Sequence, residues 1–349
     1  MMKKPVLLLL PLLLGLLACT GNENEEKKEY FKLWNDCTSI RELKEFVEKA
    51  VDPNSTNYIP VEDRIATFDM DGTFIGELYP TYFEYNMLEY RALDDPNYVA
   101  PEDVRAAGQA IRDHVRDGVA LPDDFEMVHA NMAAKAYAGM SVAQFDHYVK
   151  EYAKKPANGF SGMTYAESFY KPMLEVFDYL KDNDFAYYVV SGSDRFICRA
   201  LVDSIGIPSN RVIGMDVELT TTNQADARGM DYTMAIGEDV IRTDKLLIKN
   251  LKNNKVKQIS QEIGKIPVLS FGNSSGDCAM HNYCLSNNKY QTKAFMVLAD
   301  NYDHDHAKQA ETESRKAKWE AAEYTIMSMN DDFKTIYGEN VIKTKFDFE

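Results

Sequence analysis

Apolar residues change their period along the chain, and each change marks a different kind of element. Between Ser39 and Val51 they recur as Ile40, Leu43, Phe46, Val47 and Ala50, the three-and-four spacing of an amphipathic helix capped by Thr38 or Ser39. A short run, Arg64-Ile65-Ala66-Thr67, leads into Phe68-Asp69-Met70-Asp71-Gly72-Thr73 and reads as a strand ended by Gly72. From Tyr79 to Pro172 the pattern is helical throughout. Phe83–Leu93, Ala106–Val115, Phe125–Met132 and Val142–Ala153 are separated by Pro96, Pro101, Pro122 and Pro156, and no strand pattern interrupts them. Helix and strand then alternate: helix over 173–181, strand over 185–190, helix over 195–205, strand over 212–219. A polar turn region over 220–231 follows, then a strand over 239–242, a helix over 256–263 and a strand over 267–271. Beyond Tyr302 the chain is polar and reads as helical over 307–329. Such alternation predicts a doubly wound, Rossmann-like α/β core with a mostly parallel sheet covered on both faces. The core is expected over 37–78 and 173–349, with residues 79–172 as an inserted all-helical cap of about 90 residues.

The first residues carry a different signal. Lys3 and Lys4 precede an apolar stretch from Val6 to Leu17, interrupted by Pro11, that ends in Leu16-Leu17-Ala18-Cys19. The stretch is shorter than the ~20 residues a bilayer crossing needs, so it reads as an export signal over 1–18. Leu-Leu-Ala-Cys resembles a bacterial lipobox, which implies a lipid anchor on Cys19; an ordinary secretory signal is the alternative. Both place the protein outside the cytoplasm, and Thr20 rather than Asp after the cysteine favours the outer membrane by resemblance to enteric lipoproteins. Residues 19–36, polar and aperiodic at their start, are expected to be a flexible tether.

Charge narrows the partners. The chain has 39 basic and 55 acidic residues, and loss of 1–18 removes two lysines, leaving 37 against 55 and a formal charge of −18. Nucleic acid is excluded as a partner, because phosphate backbones are bound through clustered Lys and Arg. Cys37, Cys198, Cys278 and Cys284 show no zinc spacing. Cys278 and Cys284 fall on different faces of one helix, so inert buried thiols are expected.

Chemistry enters at the strand ends. Asp69 and Asp71 stand one residue apart where the first strand stops, an arrangement that leaves one carboxylate as a nucleophile and the other as a proton donor, with a backbone carbonyl between them for a metal. In a doubly wound sheet ligands sit outside the carboxyl ends of strands, so other strand ends should contribute. The strand over 185–190 runs into Ser191-Gly192-Ser193-Asp194 and a helix, suited both to holding phosphate oxygens and to plain capping. The strand over 267–271 runs into Gly272-Asn273-Ser274-Ser275-Gly276-Asp277, an amide oxygen and a carboxylate of the kind Mg²⁺ prefers. Before it lies Lys252-Asn253-Asn254-Lys255-Val256-Lys257.

These four segments, in this order over residues 65–277, resemble the haloacid dehalogenase superfamily, nearest its phosphoserine-phosphatase-like and phosphorylcholine-phosphatase-like branch. The resemblance implies that Asp69 is the nucleophile and Asp71 the general acid/base, that Ser191 with Gly192 binds phosphate, and that Lys255, or else Lys245, is the family's lysine. It implies Mg²⁺ held by Asp69, the Asp71 carbonyl and the last segment. There Asn273 stands where an Asp is usual, which leaves open whether Asn273 or Asp277 is the main ligand. By the same resemblance, members that cleave carbon–halogen or carbon–phosphorus bonds lack an acid at the place of Asp71, so the implied activity is a phosphomonoester hydrolase acting on a small phosphorylated metabolite. A phosphomutase of the same fold and a non-catalytic surface binding lipoprotein are the alternatives.

Substrate contacts are expected from the cap. Glu77 lies just past the nucleophile turn, where similar enzymes carry a substrate-contacting Glu. Tyr79, Tyr82, Phe83 and Tyr85 would suit a quaternary ammonium as an aromatic box, or else pack the first cap helix. Asp303-His304-Asp305-His306 resembles a metal-binding run but reads as solvated charge, and His114, His129, His147 and His281 suggest no zinc site.

Overall fold

The computed structural model describes residues 28–348. The expected leader over 1–18, the lipidation site Cys19 and the first part of the tether lie outside them. The last part of the expected tether belongs to the folded domain: from Phe31 onward the chain forms one compact unit. Phe31 and Trp34 are buried, the Trp34 indole donates to the Pro172 carbonyl (2.9 Å), and its ring stands edge-on to Phe333 with centroids 4.6 Å apart. The burial of these two rings outweighs the polarity of their neighbours, and the domain starts before residue 37.

Helix α1, Thr38–Val51, buries Ile40, Leu43, Phe46, Val47 and Ala50. Strand β1, Ile65–Phe68, is buried at all four positions. The helical segment contains α2 (Phe83–Leu93), α3 (Glu102–Asp117), α4 (Phe125–Ala136) and α5 (Val142–Ala153), and ends in a two-residue strand, β2, Phe160–Ser161. The remainder alternates: α6 (Lys171–Asp182), β3 (Ala186–Asp194), α7 (Arg195–Val202), β4 (Val212–Thr221), β5 (Val240–Ile248), α8 (Asn253–Glu262), β6 (Leu269–Gly272), α9 (Cys278–Leu285), β7 (Lys293–Leu298), α10 (Gln309–Ala321), β8 (Thr325–Ser328) and β9 (Ile342–Lys343).

Seven strands form one sheet in the order β5-β4-β3-β1-β6-β7-β8, parallel throughout except where β5 returns antiparallel along β4. This is the doubly wound α/β core that the alternation predicts, with two strands more. β7 is buried along nearly its whole length and so has no polar face to reveal it by alternation. β8 falls inside the span expected to be helical, because α10 stops at Ala321 and a positive φ at Glu323 (59°) turns the chain back into the sheet.

β1 is central. Phe68 pairs with Val189 on one side and Phe271 on the other, so the carboxyl ends of β3, β1 and β6 lie together at the point where the winding reverses. Beneath it Phe68, Phe271 and Phe295 stack across three neighbouring strands at 4.2 and 4.9 Å. All three are fully buried and give the strand ends a rigid floor.

The C-terminal segment acts as a strap. β9 pairs antiparallel with β2 at the base of the cap, Phe346 stacks on His306 (4.1 Å), and His306 Nε2 donates to the Gly159 carbonyl (2.8 Å). Asp305 is buried and accepts the His306 amide (2.8 Å). The expectation of solvated charge over 303–306 is therefore corrected for Asp305 and half-buried His306, which anchor this strap. Cys37, Cys198, Cys278 and Cys284 are free thiols. Among the described residues no helix is long and apolar enough to cross a membrane.

Candidate active site

The Asp69 amide still donates to the Phe271 carbonyl (2.9 Å), which puts Asp69 at the tip of β1 beside β6. The chain then turns at Gly72, whose φ is +76° and whose N–H bonds the Ile75 carbonyl (2.7 Å). A Cβ there would lie 1.9 Å from Asn273 Nδ2 and 2.7 Å from Glu77 Oε2, so glycine is what lets these two side chains close on the aspartate turn. Asn273 Nδ2 donates to Glu77 Oε2 (3.2 Å). Asp71 accepts the Ser193 hydroxyl (2.7 Å).

Two other segments meet Asp69. Lys255, fully buried on α8, reaches Asp69 Oδ1 at 2.5 Å and Asp277 Oδ1 at 2.6 Å. The second oxygen of Asp277 accepts the amides of Asn273 (3.1 Å) and Ser274 (3.0 Å), closing the loop after β6. Asp277 thus has both oxygens engaged. Lys245 is on the edge strand β5, exposed and paired with Glu218 (2.7 Å); it does not line the cavity.

β3 runs past Val190 through a register shift to Asp194, four residues beyond the expected end. Ser191 is fully buried, and its Oγ accepts the Ser193 amide (3.0 Å). Gly192 and Ser193 line the cavity and Ser191 does not. Gly192 is also a close-packing glycine, since a Cβ would meet Leu251 Cδ2 at 2.6 Å.

A cavity opens above these groups. Asp69, Asp71, Ser193, Lys249, Lys255 and Asn273 face it from the core, and Tyr82, Glu84, Tyr85 and Glu126 from the cap; Glu77 and Asp277 complete its acidic wall. The expected aromatic group divides. Tyr82 and Tyr85 line the cavity, edge to face with centroids 5.5 Å apart. Tyr79 is buried, bonded to the Gly76 carbonyl and to Ser168 Oγ, and packs edge-on to Tyr165 (5.1 Å); Phe83 packs against Tyr152 and Tyr165. Those two rings build the cap base, and Tyr79 is not a cavity contact. Ser193, Glu84, Lys249 and Glu126 are cavity residues that the motifs do not single out. Ser193 had a signal, the Ser-Gly-Ser repeat; Glu84, Lys249 and Glu126 sit on ordinary helix and strand ends with none.

Six carboxyl groups thus share the cavity with two lysines, Lys249 and Lys255. Burial, then the charge of Asp277, pushes the Asp69 carboxyl up, against the pull of Lys255. Burial pushes Asp71 up to about 6, although the Ser193 hydrogen bond pulls it down. Burial likewise lifts Glu77 to about 8. Burial opposes the Lys255 charge, but Asp277 and Asp69 outweigh it and hold its ammonium up. Among the described residues no group of three or more His, Cys, Asp or Glu side chains is arranged to hold a metal ion. Asp69 and Asn273, an acid and an amide of the hard-donor kind, both line the cavity, with the Asn273 nitrogen turned toward Glu77.

No protein-family model matches the chain, and neither does any curated protein. Among solved structures, the chain is similar to a conserved protein of unknown function from Anaerococcus prevotii, at 15% identity, with a TM-score of 0.52 over 86% of this chain and 94% of that one. It is similar to a cytosolic 5'-nucleotidase IIIB bound to cytidine at 10% identity and a TM-score of 0.48, covering 84% of this chain and 86% of that one. A phosphoserine phosphohydrolase-like protein from Francisella tularensis gives 12% identity and a TM-score of 0.40, covering 76% of this chain and 94% of that one. At 15% identity the likeness to the Anaerococcus protein is one of fold alone.

Proposed function

We propose that the chain is a phosphatase of the haloacid dehalogenase superfamily, a Mg²⁺-dependent phosphomonoester hydrolase working through an aspartyl-phosphate on Asp69. One observation supports this reading above the others: Asp69 and Asp71 share the tip of β1, Asp69 tied to Lys255 and Asp71 to Ser193, under a cap that closes a small cavity. An Asp69 oxygen attacks phosphorus, the bond from phosphorus to the ester oxygen breaks, and that oxygen takes the Asp71 proton. Asp71, now a carboxylate, takes a proton from the water that attacks the phosphorus, which frees Asp69 and releases phosphate. Lys255 and the backbone at Gly192 and Ser193 hold the phosphoryl oxygens. Mg²⁺ would be held by Asp69, the Asp71 carbonyl and Asn273, and supplies the positive charge that lets a carboxylate approach a phosphate. Asn273 suits this role better than Asp277, whose oxygens hold Lys255 and the loop. The substrate proposed is a small phosphorylated metabolite.

Phosphate release from an aryl phosphate with Mg²⁺, and its loss in Asp69→Asn, is the test; undiminished release by that variant sinks the mechanism. A mutase would instead leave total organic phosphate unchanged with a sugar phosphate as substrate. A lipid anchor on Cys19, holding the enzyme outside the cytoplasm on the periplasmic or cell-surface face of a membrane, is part of the same proposal, and the mass of the mature N-terminus tests the lipid.

A further inference from the structure

Glu84 lies in the first turn of the cap helix α2, and both of its carboxylate oxygens are spent on the core. Oε1 accepts Lys249 Nζ at 2.9 Å; Oε2 accepts the backbone N–H of Asp194 at 3.2 Å. Lys249 follows β5 and Asp194 ends β3, so one cap side chain ties together two core segments that are distant in sequence. Both Glu84 and Lys249 line the catalytic cavity, and their side chains are nearly inaccessible to solvent, at 5% and 8%. Asp194 is also held from its other side. Arg242 donates to its carboxylate (2.6 Å), and the guanidinium lies 3.9 Å from the centroid of Phe145 on cap helix α5. The residue next to Asp194 is Ser193, whose hydroxyl orients the Asp71 carboxyl (2.7 Å).

We infer that Glu84 is a positioning residue for leaving-group protonation: with the cap closed, it fixes the Ser193–Asp194 turn and through it the Asp71 carboxyl. The inference rests on the hydrolase reading above and adds a coupling that the motifs do not contain. A simple ion pair between cap and core needs neither a bond to the amide beside Ser193 nor a place in the cavity wall. Here the carboxylate that reports cap closure is two hydrogen bonds from the proton donor. With the cap lifted, the Asp194 amide and Lys249 lose their acceptor, and the Ser193 hydroxyl loses a fixed backbone. Asp71 then gives its proton to the departing oxygen less readily, which guards against turnover before the substrate is enclosed.

Leaving-group dependence tests this. The phosphorus–oxygen bond of 4-nitrophenyl phosphate breaks with little help from a proton, whereas an alkyl phosphate such as glycerol phosphate requires one. The double variant Glu84→Leu/Lys249→Met removes both buried charges together, so the fold is not left with an unpaired one. Its kcat on the alkyl ester is expected to fall by roughly 30- to 100-fold and on the aryl ester by about threefold. Glu84→Gln, which keeps one acceptor oxygen, is expected to recover most of the alkyl activity. Equal losses on the two esters, or no loss on either, overturn the inference and leave the hydrolase reading standing. Wild-type protein that cleaves neither ester removes both. If the double variant melts more than about 10 °C below wild type, Glu84→Gln is judged by the same ratio, with a smaller but still alkyl-selective loss expected.

Discussion

Of the lysines between the second and last motifs, Lys255 is the one the sequence favours, by its distance to the last motif and its Lys-Val-Lys-Gln-Ile context, with Lys245 as runner-up. Three-dimensional placement separates them. Lys255 is enclosed on α8 between Asp69 and Asp277, while Lys245 faces outward from an edge strand toward Glu218. Removing Lys255 leaves two buried carboxylates without their cation, a change of about 3–5 kcal/mol when one member of a buried ion pair is lost. Lys255→Met is therefore expected to lose at least about 100-fold in phosphate release and to unfold at visibly lower denaturant. Lys245→Ala should keep full activity and stability within about 0.5 kcal/mol, as surface pairs do. Denaturant titration and turnover of the two variants side by side check this, and a Lys255→Met protein as active as wild type would end the assignment. Gly72 was legible for a related reason. Its Asp-Gly pair announces a turn, and the structure adds that a side chain there would strike Asn273. What the motifs could not show was Glu84 or Lys249, because nothing in a cap helix or a strand end distinguishes one charged residue from another until the chain has folded.

Periodic elements were legible and non-periodic ones were not. α2 and α5 run over the residues that the apolar spacing marks, Phe83–Leu93 and Val142–Ala153; α5 buries one face, Phe145, Val149, Tyr152 and Ala153, whereas α2 is buried on nearly all sides. β7 and β8 were hidden, the one by burial on both faces and the other by its shortness beside a polar helix. The segment around Asp305 was misjudged because four alternating charged and imidazole residues look like solvent-facing chain. In the fold Asp305 is enclosed with the Tyr337 hydroxyl 3.4 Å away, and burial pushes its carboxyl up to about 6 from an ordinary value of 3.8. The folded protein thus retains a proton that the unfolded chain has released between about pH 4 and pH 6, so stability falls as pH rises through that window and levels off above it. The full effect is about 3 kcal/mol. Asp305→Asn, which keeps an acceptor oxygen and has no proton to lose, should match wild type near pH 4 and exceed it near pH 7. Chemical denaturation of both proteins across this range is the measurement. A difference independent of pH would show that the carboxyl does not titrate there.

At the scale of the molecule the cap and the core are joined in several ways that differ in kind, among them the 139–140 turn of the cap, which exchanges backbone hydrogen bonds of 2.8 and 2.9 Å with Arg242 on β5. The chain crosses between them on either side of the cap. The Glu84, Asp194 and Arg242 contacts join them across the catalytic cavity. The C-terminal strap joins them at the cap base, where β9 pairs with β2, the Thr344 amide bonds the Gly159 carbonyl (2.8 Å), and Asn158 and Asp347 exchange hydrogen bonds of 2.7 and 2.8 Å. If the strap sets the resting position of the cap, then deleting residues 340–349 frees the return arm from Lys154 to Thr164 while leaving the seven-stranded sheet whole. The lost hydrogen bonds and the partial loss of the Phe346 packing amount to about 1–3 kcal/mol, which in a domain of this size lowers the melting temperature by only a few degrees. Local opening should change far more, since segments with few remaining contacts open well below the global free energy. The truncated protein is expected to be cut by trypsin after Lys154, the bond after Lys155 being protected by Pro156, under conditions that leave the full chain intact, and to turn over small esters with a raised KM and a nearly unchanged kcat. Cleavage of the arm at the same rate in both proteins would mean that the contacts across the cavity and those of the 139–140 turn with β5 hold the cap without the strap.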